Sequence, residues 1–116
     1  MCKKFVMTMP NFKERRKTMW CRLTFVKFDP AKLEEGRKIF MEVHVPAVKK
    51  QKGNIDVYLM ESASEPGEGI SFTSWESKKD GDAYEKSGVY RELVNGIVHL
   101  HVRQPKLMEY EVKTKS

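Results

Sequence analysis

The sequence, 116 residues long, has no apolar run approaching the roughly 20 residues that a bilayer-spanning helix needs. Its opening stretch, MCKKFVMTMPNFKERRKTMW, lacks the apolar core of a secretory signal. Cysteine is scarce. Cys2 and Cys21 lie among basic residues, without C-x-x-C spacing. That excludes zinc-finger spacing and a disulfide scaffold, and it fits two free thiols in a reducing compartment, so a cytoplasmic protein is expected. There is no P-loop, no G-x-G-x-x-G and no G-x-S-x-G. No internal repeat is present, which excludes a solenoid or propeller.

What remains is an ordinary globular composition, 40% hydrophobic and 33% charged. A chain of this size forms one domain and buries roughly two-thirds of the surface its unfolded form exposes. The net charge is +6. It resides in residues 1–22, where Lys3, Lys4, Lys13, Arg15, Arg16, Lys17 and Arg22 face Glu14 alone. The rest of the chain is neutral. Residues 1–18 read as a basic flexible leader and 19–116 as the folded domain. The leader fits an arm for an anionic partner, a solvated tail, or a stretch upstream of an internal start at Met7, Met9 or Met19. A nucleic-acid-binding domain carries its basic patch on the folded body, so no nucleic-acid partner is expected.

Periodicity gives the elements. Met19–Phe28 alternates as a strand, with Leu23 and Phe25 on one face and Arg22, Thr24, Val26 and Phe28 on the other. Asp29-Pro30 starts a helix of about four turns. Its predicted inner stripe is Leu33, Gly36, Phe40, Val43 and Ala47, with a kink expected at Pro46 and a stop at Gly53. Asn54–Ser62 and Ile70–Glu76 are strands joined by the turn-forming SEPGEG. Ser77 and Asp80 resemble a capping box. The helix they open should run to Asn95-Gly96 on an inner stripe of Ala83, Tyr84, Ser87, Tyr90 and Val94, with Ser87-Gly88 a potential break. Residues 97–103 fit either a helical turn or a strand. Leu107–Thr114 is the last strand.

The order strand, helix, strand, strand, helix, strand predicts an α+β, ferredoxin-like βαββαβ sandwich, a four-stranded antiparallel sheet with two helices on one face. Apolar side chains fall on the other face as well. That predicts a homodimer, two sheets packed face to face into a dimeric α+β barrel. RNA-recognition domains share the order, but Glu68-Gly69-Ile70-Ser71-Phe72 puts an acid and an isoleucine where their third strand carries a basic and an aromatic residue.

The stretch HVPAVKKQKGNIDVYLMES…GEGISFTSWESKKDGDAYEKSGVYRELV resembles the antibiotic biosynthesis monooxygenase family. The resemblance rests on V-P-A-x-K-K-Q-x-G at the end of the first helix, W-E-S at the end of the third strand and Y-R-E-L in the second helix. It covers about residues 19–114. It implies a dimeric α+β barrel and oxygenation of an aromatic polyketide or quinol with neither metal nor flavin, hence no cofactor. It also implies an apolar pocket that excludes water, a proton acceptor, and donors for a developing phenolate. The haem-degrading branch of the family is not indicated. Its tryptophan and histidine positions fall on Tyr84 and Val94, its first-strand asparagine falls near Cys21, and valine cannot ligate iron.

On that reading His44, near the inner stripe of the first helix, is the candidate proton acceptor. Trp75 and Tyr84 complete the candidate catalytic set, and Tyr58, Phe72 and Tyr90 are candidate substrate-binding residues. Each also fits plain core packing. His99-x-His101 lacks a third ligand, so no metal is expected. A barrel that binds a small apolar molecule without turning it over accounts for the same residues.

Overall fold

The computed structural model describes residues 19–114. The predicted leader, with Cys2, lies outside the described residues. Four strands form one antiparallel sheet: β1 (Met19–Lys27), β2 (Asn54–Glu61), β3 (Glu68–Trp75) and β4 (Lys106–Val112), in the order β2-β3-β1-β4. With the helices between them this is the ferredoxin-like α+β arrangement. Among the described residues, no helix is long and apolar enough to cross a membrane.

The first helical segment begins as the Asp29-Pro30 pair predicts. The Asp29 carboxylate accepts from the Ala31 N–H at 3.0 Å, capping the 3₁₀ turn Pro30–Lys32. Then follow α1 (Leu33–Ile39), a π-helical turn Phe40–His44, and α2 (Val45–Lys49). The π turn corrects the predicted stripe. The Val45 N–H reaches back five residues to the Phe40 carbonyl, so this turn holds an extra residue. Val43 is thereby left 52% exposed, while His44 and Val48 enter the core. The cause lies one turn ahead. Pro46 brings no N–H, and its ring crowds the carbonyl of Glu42, which the wider turn accommodates.

The second helical segment is two helices, α3 (Lys78–Lys86) and α4 (Val89–Asn95). Ser77 caps the first, its hydroxyl accepting from the Asp80 N–H at 3.1 Å. The break falls at Gly88, whose φ of +89° only glycine adopts freely. The inner residues are Gly81, Tyr84 and Leu93, with Tyr90 partly covered. Ala83 and Ser87, predicted inside, are exposed. Gly81 has no side chain to signal its inward position, so the apolar pattern is misphased onto Ala83. Residues 97–103 form a short 3₁₀ turn, Val98–Leu100, and a single bridge between His101 and Phe28.

Opposed residues in the ladders share a face. Thr24 pairs with Ser71 and Leu107, and Arg22 with Thr73 and Glu109. This face meets the helices through two core clusters. One holds Val26, Phe28, Ile97 and Leu100. The other holds Val48, Trp75, Tyr84 and Leu93. The opposite face is apolar too. Leu23 sits between Phe72 and Met108, Phe25 opposes Ile70, and Tyr58 and Met60 extend the surface across β2. Nothing among the described residues covers it, and Tyr58 and Tyr110 are about half exposed.

Candidate functional site

A partly enclosed cavity of about 40 Å³ separates the two core clusters, between sheet and helices. That exceeds the roughly 10–15 Å³ one water needs. Val26, Val57, Leu59, Phe40, Val48, Leu93 and Ile97 make its walls apolar. The polar exceptions come from several elements. Thr24, Ser71 and Thr73 rise from the sheet, His44 comes from the first helical segment, Tyr84 and Tyr90 from the second, and His101 from the connection before β4.

His44 owes its place to the π turn. It is 8% exposed, tilted against Phe40 at 5.4 Å, and its Nε2 is buried without a hydrogen-bond partner. Burial holds its imidazole below the ordinary histidine range. The Leu93 carbonyl pulls the other way and His101 adds to the depression. The ring is therefore neutral near pH 7, with an acceptor lone pair to offer.

Two hydrogen bonds engage three of these hydroxyls. Tyr90 and Thr24 share a hydrogen bond at 3.0 Å. One of their two protons makes that bond, and the other is free to donate elsewhere. Thr73 Oγ1 accepts from the Trp75 indole at 2.9 Å, which leaves its own proton to give. Burial pushes the Tyr84 phenol far above its usual value, Arg22 opposing and Tyr90 adding. Tyr84 is thus a neutral hydroxyl at any physiological pH, a donor rather than a base.

Behind these rings lies Arg22, 3% exposed. Its guanidinium sits 5.0 Å from the Tyr90 ring centre and 5.8 Å from that of Tyr84. Nη1 bonds Glu85 at 2.9 Å and Glu109 at 3.0 Å. It fixes the two tyrosines from the rear by cation–π attraction.

Of the residues singled out in the sequence, His44, Tyr84 and Tyr90 come together on the cavity. Trp75 does not line it. The indole is fully buried, stacked on Tyr84 at 4.9 Å, and reaches the cavity only indirectly, through Tyr84 and Thr73. Tyr58 and Phe72 stack on each other at 5.7 Å on the opposite face of the sheet, away from the cavity. His99 and His101 do not act as a pair. His99 is exposed beside Glu35, whereas His101 packs edge-on to Phe28 at 4.8 Å. Among the described residues no three His, Cys, Asp or Glu side chains converge on a metal position. Sequence reasoning passed over Thr24, Thr73, His101 and Arg22 as parts of the site. The signal for three of them was present, because Arg22 and Thr24 alternate with Val26 and Phe28 on a buried face, and Thr73 with Trp75.

Residues 19–96 match the family described as antibiotic biosynthesis monooxygenase. No curated protein matches the chain. Among solved structures, a "putative antibiotic biosynthesis monooxygenase" from Caulobacter crescentus CB15 superposes with a TM-score of 0.72 at 15% identity, over 85% of this chain and 93% of its own. A conserved protein of unknown function from Bacteroides thetaiotaomicron VPI-5482, described as a possible oxidoreductase, gives 0.68 at 21% identity, over 83% and 99%. A conserved protein from Methanosarcina mazei Go1 gives 0.71 at 13% identity, over 85% and 96%. At these identities the likeness is one of fold.

Proposed function

We propose that this chain, which belongs to the antibiotic biosynthesis monooxygenase family, oxidises a small aromatic substrate with O₂ and no cofactor, in the cavity between its sheet and helices. One observation carries the reading. A neutral, buried imidazole with a free acceptor nitrogen stands on an apolar cavity that also holds hydroxyl protons free to donate. That combination takes a proton from a weak carbon or phenol acid and steadies the oxyanion left behind.

From an anthrone, His44 Nε2 takes one methylene proton. The carbanion passes an electron to O₂, and the two radicals join as a C–O bond. The peroxide takes the proton back from His44. Loss of the second methylene proton then breaks the O–O bond, giving a ketone and water. The methylene gives up four electrons and O₂ takes four, so no outside reductant enters. Tyr90, Thr24 and Thr73 offer hydrogen bonds to the oxyanion, and the apolar walls keep water from the carbanion. The functional unit in this proposal is a homodimer, in which the uncovered apolar sheet face packs on that of a second copy.

Oxygen uptake with a panel of hydroquinones and anthrones, in chelator-treated buffer, tests the reading. Uptake above the buffer blank that falls at least 100-fold in His44→Ala is expected. No uptake with any substrate, beside measurable ligand binding, would instead make the protein a binding barrel.

A further inference from the structure

Two histidines, not one, stand on the cavity. His101 comes from the connection before β4, and its edge lies on Phe28, 4.8 Å between ring centres at 73°. Both its ring nitrogens are buried without a partner, as is His44 Nε2. His44 and His101 line the same cavity. Buried polar atoms in folded proteins ordinarily have partners. Here three ring nitrogens on one cavity have none within the protein.

We infer that His101 determines ligand specificity: the cavity selects aromatic ligands that carry two oxygen functions, one bonded at His44 and the other at His101. The inference rests on the aromatic-substrate reading above and adds to it the residue that reads the second oxygen. The chemistry of the donor set is the reason. A neutral imidazole offers one acceptor and one N–H donor. His101 has both unmet, and a hydroxyl both gives and takes a hydrogen bond. A bound ring without oxygen functions would leave all three nitrogens stripped of water and unpaired. A site built to bond a hydroxyl rejects the analogue that lacks it far more strongly than an apolar wall rejects an added one. His99 plays no part, since it is exposed towards Glu35.

Calorimetric titration of the full chain with naphthalene, 1-naphthol and 1,4-dihydroxynaphthalene, under argon to prevent oxidation, reads this directly. The wild type is expected to bind the diol about tenfold or more tighter than 1-naphthol. His101→Phe, which keeps an aromatic edge on Phe28, should bring the two within about twofold through loss of diol affinity. His101→Gln, with a donor and an acceptor, should keep part of the preference. If His101→Phe does not fold, His101→Leu serves the same comparison. A diol preference that survives loss of the imidazole overturns the inference, as does a wild type that binds 1-naphthol and diol alike. In both of those results the aromatic cavity stands. A wild type that binds none of the three ligands overturns the aromatic cavity itself, and the role of His101 with it.

Discussion

The Trp75 indole donates to the hydroxyl of Thr73, two positions earlier on the same face of β3, at 2.9 Å. A fully buried tryptophan that only packed would orient nothing. This one fixes the rotamer of a cavity hydroxyl and leaves that hydroxyl's proton free. Trp75→Phe keeps most of the packing and removes the donor. We expect a loss of about 1–3 kcal/mol in urea denaturation, from the reduced volume and the missing bond. A loss below about 0.5 kcal/mol would mean that the bond and the packing matter little.

Arg22 is a desolvated cation whose partners are both partly wet. Glu85 is 51% exposed and Glu109 34%. The carboxylates can return to water if the cation is removed, but the cation cannot do so if they are removed. The two halves of the network should therefore respond unequally. Arg22→Met, which fills the space, is expected to cost less than about 1 kcal/mol. The double change Glu85→Gln, Glu109→Gln leaves an uncompensated buried charge and should cost about 3–5 kcal/mol. Thermal melting of both variants decides it, and equal losses would contradict the argument.

Gly36 sits where α1 crosses Phe28. A Cβ added there would fall 2.6 Å from Cε1 of that ring. Alanine in a helix interior is ordinarily better than glycine by about 1 kcal/mol. Overpacking a core costs about 1–3 kcal/mol, and Phe28, itself 2% exposed, has little room to yield. The clash should win. Gly36→Ala is expected to lower the melting temperature, and a raised one would show that Phe28 moves aside.

The element order, the caps at Asp29 and Ser77 and the two faces of β1 were legible because each follows from a local rule that the tertiary structure does not oppose. The interior of the helices was less so. Regular 3.6-residue spacing puts Val43 inside and His44 at the rim. The π turn ahead of Pro46 reverses them, and spacing alone does not announce a π turn. Gly81 was missed because a glycine carries no apolar signal. The strand aromatics divided for another reason. Both faces of the sheet are apolar, so alternation separates Tyr58 and Phe72 from Thr73 and Trp75 without saying which pair meets the helices. His101 emerged only with the bridge to Phe28, a contact between residues 73 positions apart in the chain.

Acid should weaken the fold through the two cavity histidines. Burial lowers both His44 and His101 from the ordinary value of 6.5. Below about that pH the unfolded chain binds protons that the folded chain refuses, so stability falls as pH drops. The decline ends once the pH passes below the folded-state values, where both forms are charged. Urea midpoints between pH 8 and pH 5 should therefore hold nearly level to about 7 and then fall. The double variant His44→Gln, His101→Gln should flatten that slope. An unchanged slope would assign the acid sensitivity to other groups.

The uncovered sheet face supports the last prediction. Leu23, Phe25, Ile70, Phe72 and Met108 form a continuous apolar surface across three strands. Solvated on its own, such a surface invites self-association. Phe72 lies at its centre, stacked on Tyr58 and opposed to Leu23. Phe72→Glu touches neither the helices nor the cavity, so the protomer should keep its far-ultraviolet circular dichroism. A carboxylate buried between two apolar sheets has no partner, and dimer dissociation should strengthen at least 100-fold. Native mass spectrometry at micromolar concentration is expected to show a wild-type dimer and a Phe72→Glu monomer. A monomeric wild type would remove the second wall of the barrel, and the cavity would then work within a single sheet.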